Sequence, residues 1–182
     1  MMLTDFILDP VITRAFASML AVILLVGGWQ KLRDIEIFAA AMENYRLLPP
    51  SLVRPVSWMV PTIEIVAGVA LLFPDSCALG ASLAAAILLV VTAAVAINLA
   101  RGIRDIDCGC GGSSNQTISW ALVARNLVLV LLTIPAAQQG ASRLLYWGDY
   151  FTLAAGVLAL VGLYLCTNQL LNNSTSPLIN RH

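Results

Sequence analysis

Two cysteines separated by a single glycine, Cys108-Gly109-Cys110, are the residues in this chain best suited to covalent chemistry. Joining thiols so close in sequence closes a small strained ring, and strain makes a disulfide more reducible and more oxidising. Such a bond constrains the unfolded chain too little to serve stability. The pair stands shortly before a predicted helix, whose positive dipole end favours thiolate over thiol. Arg101 and Arg104 act in the same direction, and Asp105 and Asp107 oppose it. Paired soft thiolates also suit Cu(I), Zn or Hg, although two cysteines do not complete a zinc site and the one histidine is His182. The residues by themselves leave redox chemistry, metal handling and an inert pair open.

Two further cysteines lie elsewhere. Cys77 opens a span from the opposite face, about 22 residues or roughly 33 Å of helix away, and cannot be a direct partner. Cys166 lies about 8 Å below the face of the pair and is a candidate auxiliary thiol, with plain packing the alternative. A second constellation is polar. Glu64 and Arg125 fall at depths of about 13 and 10 Å from the cysteine face, a spacing that allows them to pair, with Asn98, Asn126 and Gln169 as hydrogen-bonding neighbours. Such a group either locks two helices in register or binds a polar cofactor head and relays protons.

The elements that position these residues follow from composition. Of 182 residues, 59% are hydrophobic and 11% charged, with zero net charge, against about 25% charged in an ordinary soluble domain. A disordered chain and a nucleic-acid partner are both excluded on that balance. Apolar runs near 20 residues match a hydrocarbon slab of about 30 Å. Five spans are predicted: Val11 to Trp29, Pro55 to Phe73, Ala78 to Leu99, Ile118 to Ala137 and Phe151 to Leu171. The fold class is therefore an all-α integral membrane bundle of about five helices, a four-helix core plus one, forming a single polytopic domain over residues 1–182.

The first span is read as retained and not as a cleaved signal, with Asp9-Pro10 as its cap and first turn. Between the first two spans, Ile35, Phe38, Ala39, Met42 and Tyr45 recur at helical spacing, predicting an amphipathic helix on the membrane surface. Phe38, Met42 and Tyr45 would cover the turn that carries Cys108 and Cys110. Ser113, Ser114 and Asn115 are capping candidates for the fourth span.

In order along the chain, Gly28-Trp29-Gln30-Lys31-Leu32-Arg33-Asp34, Phe38, Tyr45-Arg46-Leu47-Leu48-Pro49, Pro61, Glu64 with Gly68, Cys108-Gly109-Cys110-Gly111 and Arg125-Asn126 resemble the MauE family of methylamine utilisation proteins. That family is grouped with DoxX-like membrane proteins. Its layout is similar to that of four-helix thiol oxidoreductases of the DsbB and vitamin K epoxide reductase type, an analogy of architecture. This chain departs from that type in carrying Cys-X-Cys in place of Cys-X-X-Cys and in having no cysteine in its first loop.

The resemblance implies a bacterial inner-membrane helper in maturing the small subunit of methylamine dehydrogenase. That subunit is exported, rich in disulfides and bears a tryptophan tryptophylquinone. The thioredoxin-like MauD is the implied partner, and Cys108 and Cys110 the implied redox pair. The analogy adds a quinone as candidate electron acceptor, docked near Glu64 and Arg125; no metal is expected. The alternatives are a soft-metal module and a scaffold without catalysis. The export of the client places the cysteine loop on the periplasmic face. The basic residues point the other way: Lys31, Arg33, Arg46, Arg54, Arg101, Arg104 and Arg181 share that face, against Arg14 and Arg143 on the other.

Overall fold

The computed structural model describes residues 10–103, 118–138 and 147–175, all of whose regular elements are helices. They are α1 (Pro10–Arg33), α2 (Ile35–Asn44), α3 (Pro50–Leu72), a short 3-10 turn (Pro74–Ser76), α4 (Cys77–Ala100), α5 (Trp120–Ala137) and α6 (Trp147–Thr175). Among these, α1, α3, α4 with its preceding turn, and α5 are long and apolar enough to cross a membrane. The continuous apolar stretch of α6 is Phe151–Thr167, at the short end of what a bilayer accepts. The chain is a multi-pass helical membrane protein.

The helices pack because small residues let backbones approach, the usual basis of association where lipid removes the hydrophobic drive. A Cβ added to Gly80 would stand 2.7 Å from the Leu71 nitrogen, and one on Gly68 would meet the Ala21 carbonyl oxygen at 3.2 Å. The core between them is Leu20, Ala21, Leu24, Ala67, Leu71, Ala81 and Ala84, with Leu129 and Ala136 from α5. Outward faces are equally apolar, with Val66, Val69, Val90, Leu127, Val128 and Leu131 exposed. In water such a surface would aggregate; in a bilayer it is the solvated side. Against α1, α6 lays Leu160, Val161 and Tyr164, leaving Leu158, Leu163 and Leu165 exposed.

Two span boundaries differ from expectation in ways that matter for the site. Helix α1 continues four residues past Trp29, because Gln30, Lys31, Leu32 and Arg33 are good helix formers and the basic pair suits the dipole at a C-terminus. Helix α3 begins at Pro50 and not at Pro55: Pro49 is extended (φ −64°, ψ 148°) and Pro50 occupies the first helical position, where its missing N–H is harmless. Pro55 and Pro61 are tolerated inside it. A Cβ on Gly28 would touch Ile65 and the Pro61 carbonyl, so these residues share a level. From that level α1 runs on about 8 Å and α3 about 16 Å. The predicted amphipathic helix, α2, packs on α3. Its Phe38, Ala39, Met42 and Tyr45 turn inward while Glu36, Glu43 and Arg46 stay exposed. The turn out of it places Arg46 at φ +50°, a left-handed residue that reverses the chain toward Pro49.

Candidate functional site

The polar residues gather at the end of the bundle that carries α2. Glu64 on α3 is buried, 5% exposed, and both carboxylate oxygens accept from the Lys31 ammonium of α1, at 2.7 and 2.6 Å. The Lys31 Nζ also lies 5.9 Å from the centre of the Phe38 ring on α2, so one ammonium ties three elements together. This corrects the expectation that Glu64 pairs with Arg125. Helix α3 starts five residues earlier than expected, which sets Glu64 deeper, beside Gly28; Lys31 stands about one turn rimward of that glycine and its long stem reaches back to the carboxylate. Arg125 instead turns along α5: its Nε and Nη2 donate to Asn126 Oδ1 at 3.3 and 3.1 Å, and its guanidinium stands 5.5 Å from the Tyr164 ring of α6.

Asn98 and Asn126 are both buried. The Asn98 amide donates from Nδ2 to the Ala94 carbonyl at 3.0 Å, and its Oδ1 is a fully buried acceptor that meets no donor among the described residues. Ser57 and Thr92, also buried, spend their hydroxyls on their own helices, donating to the Val53 and Leu88 carbonyls. Gln169 and Cys166 are exposed on α6. Cys77, at the other end of the bundle, donates from Sγ to the Ala136 carbonyl at 3.2 Å.

Cys108 and Cys110 fall outside the described residues, as do Asp9 and Ser113 to Asn115. The residues flanking the cysteine segment are described, and the structure anchors both. Helix α4 ends at Ala100; Gly102 takes a left-handed φ of +78°, and the Ile103 N–H donates to the Asn98 carbonyl at 3.1 Å. Across the segment, Ser119 is extended and α5 begins at Trp120, making Ser119 its cap residue. Ile118 is buried in a small core with Tyr45, Val95, Leu99 and Val123, and Ile103 and Leu47 pack on it. The two roots of the cysteine segment therefore meet at the foot of α2.

Tyr45 closes that core and borders a cavity of about 510 Å³. Its walls are Phe38, Ala41, Met42, Leu47 and Leu48 around α2, Val56 and Val60 of α3, and Val90, Val91, Ala93, Ala94 and Ile97 of α4. Sequence reading found the inward stripe of α2 but not the cavity, because a void depends on how far neighbouring helices overshoot one another. It also passed over Lys31 as a partner. The available signal was Gly28, one turn before Lys31 on α1, a residue small enough to let α1 approach α3 beside Glu64. Burial removes water from the Tyr45 phenol and pushes its pKa up to about 12, so it is a hydrogen-bond donor at neutral pH.

A polytopic bundle with a buried ammonium–carboxylate clamp, a surface helix over an apolar cavity and a Cys-Gly-Cys segment rooted beside it defines a helical membrane protein built around one rim of the bilayer. Comparison with known proteins is specific. The family model described as methylamine utilisation protein MauE matches residues 9–139. The chain is 38% identical over 136 residues to the MauE of Paracoccus denitrificans, covering 74% of this chain and 73% of that one. It is 37% identical over 158 residues to the MauE of Paracoccus versutus, covering 83% and 81%. Against the MauE of Methylorubrum extorquens it is 37% identical over 131 residues, 71% and 70% of the two chains. No solved structure matches. The chain belongs to the MauE family and is a protein of methylamine utilisation.

Proposed function

We propose that this chain is the membrane thiol–disulfide oxidoreductase that supports disulfide formation in the small subunit of methylamine dehydrogenase, acting through Cys108 and Cys110 with a thioredoxin-like partner of the MauD type. The observation that carries the reading is the common anchorage of Ile103 and Ile118, the flanks of the cysteine segment, in one core with Tyr45. A client thiolate attacks one sulfur of the Cys108–Cys110 disulfide, forming a mixed disulfide and releasing the other sulfur as thiolate. The second client thiol, as thiolate, then attacks the client sulfur of that mixed disulfide and displaces the chain's cysteine thiolate, leaving an oxidised client and a reduced Cys108–Cys110 pair. Each cycle moves two electrons and two protons onto this pair, and a membrane quinone is the class of acceptor that removes them. The periplasmic face of the inner membrane is the side where such a product persists.

The test is genetic and chemical together. In cells whose only copy carries Cys108→Ser or Cys110→Ser, the remaining thiol is expected to hold a partner in a mixed disulfide that reductant releases. The double serine variant should reach the membrane and fail to support an active dehydrogenase. Normal maturation with the double variant ends the redox reading, and leaves the chain a scaffold. A reporter active only outside the cytoplasm, fused near Ser113, should be active; a silent one removes the mechanism.

A further inference from the structure

The cavity beneath α2 has features that select its occupant. Its described walls carry no charged side chain, so among the described residues neither a phosphate nor a carboxylate finds a counter-ion there. Val90 and Ile97 on its rim are 63% and 43% exposed on the outward face of a membrane-spanning helix, so the way in is sideways from hydrocarbon. Among the described lining residues one side chain carries a polar group, that of Tyr45, a residue only 8% exposed whose hydroxyl makes no hydrogen bond among the described residues. The volume, about 510 Å³, lies within the roughly 300–1,000 Å³ of small-molecule sites. A fitting guest is lipid-soluble and uncharged, and presents an acceptor oxygen to a phenol.

We infer that this cavity seats the head of a membrane quinone, with the Tyr45 hydroxyl donating to a quinone carbonyl and the isoprenoid tail leaving between α3 and α4 past Val56, Val90 and Ile97. The inference rests on the reading that the Cys108–Cys110 pair is re-oxidised from the membrane, and it assigns where. It moves the quinone away from the expected dock at Glu64 and Arg125. There the carboxylate is occupied by Lys31 and the guanidinium faces Asn126 and Tyr164. Because Tyr45 shares a core with both roots of the cysteine segment, an occupant of the cavity sits one side chain away from those roots.

The experiment uses the full chain in phospholipid nanodiscs free of quinone, with a photoreactive ubiquinone analogue as probe. Crosslinks are expected on α2 and on the Val90–Ile97 stretch of α4, competed by added ubiquinone and not by further phospholipid. Tyr45→Phe should weaken probe binding about three- to tenfold, the worth of one hydrogen bond. Ala93→Phe, at an exposed position on the cavity wall, should abolish labelling while leaving the thermal midpoint in place. Labelling indifferent to both variants, or displaced equally by phospholipid, overturns the inference. The Cys108→Ser/Cys110→Ser chain separates the two readings: if it binds probe normally yet still supports maturation, the site stands and the thiol reading falls. If the cysteines prove essential while cavity variants label as the native chain does, the site falls alone.

Discussion

Breaking the Lys31–Glu64 clamp from its two sides should have unequal consequences. At 2.6 Å the gross attraction is about 6 kcal/mol at an effective dielectric constant of 20, largely offset by taking both charges out of water. The net contribution against an apolar pair is therefore small, and the damage lies in leaving one charge alone. Lys31→Met strands a carboxylate about 21 Å along α3 from its start at Pro50, and should destabilise the bundle by about 3–5 kcal/mol. Glu64→Gln strands an ammonium two residues from the end of α1, and a lysine stem there can bend toward the headgroups. Its loss should stay within the roughly 1–3 kcal/mol of an unsatisfied polar group. The double variant Lys31→Met/Glu64→Gln should recover most of the larger loss. Reversible unfolding in mixed micelles titrated with sodium dodecyl sulfate reads all three, as a double-mutant cycle. Equal losses for the single variants, or a coupling below about 0.5 kcal/mol, would refute the view that α1 and α3 are joined by a charge pair with an exit on one side only.

Glycine substitutions should sort by contact. Gly80→Ala drives a Cβ into the backbone of Ala70 and Leu71 and should cost about 1–3 kcal/mol in the same unfolding assay, whereas Gly156→Ala, with open space around it, should be neutral or stabilising by up to about 1 kcal/mol. Tyr45 should ionise late in an ultraviolet titration, with a midpoint near 12 in place of the ordinary 10 or so. Since the unfolded phenol loses its proton first, stability should hold up to about pH 10 and fall as pH rises from there through 12, by up to roughly 3 kcal/mol. Tyr45→Phe should remove that alkaline loss. Maleimide labelling of the reduced chain in detergent should modify exposed Cys166 faster than Cys77, which is half-buried and bonded to Ala136.

Much of the architecture was legible in the residues because a bilayer leaves few choices: apolar length predicts a span, and the stripe Ile35, Phe38, Ala39, Met42, Tyr45 predicts a helix lying against an apolar surface. Each predicted span meets a helix, with ends displaced by a few residues where capping chemistry decides. Pairing was not legible. Arg125 and Lys31 are equally plausible partners for a buried Glu64 on paper, and the choice turns on the level at which Gly28 crosses Pro61, a property of packing. The cavity was hidden for the same reason. The candidate thiols were legible from type and spacing alone; what the fold adds is the foundation on which their segment is set.

Below the Lys31–Glu64 clamp the described interior is hydrocarbon apart from the hydroxyls of Thr13 and Thr133. The interlocked alanines and leucines of α1, α3, α4 and α5 that fill it include no carboxylate, amine or guanidinium. Such a plug is an electrical insulator, offering ions no stepping stones from one aqueous compartment to the other. Under the proposed function, chemistry at the rim bearing α2 would proceed without short-circuiting the gradients that the surrounding membrane maintains, and protons released by it would stay on the side where they appear.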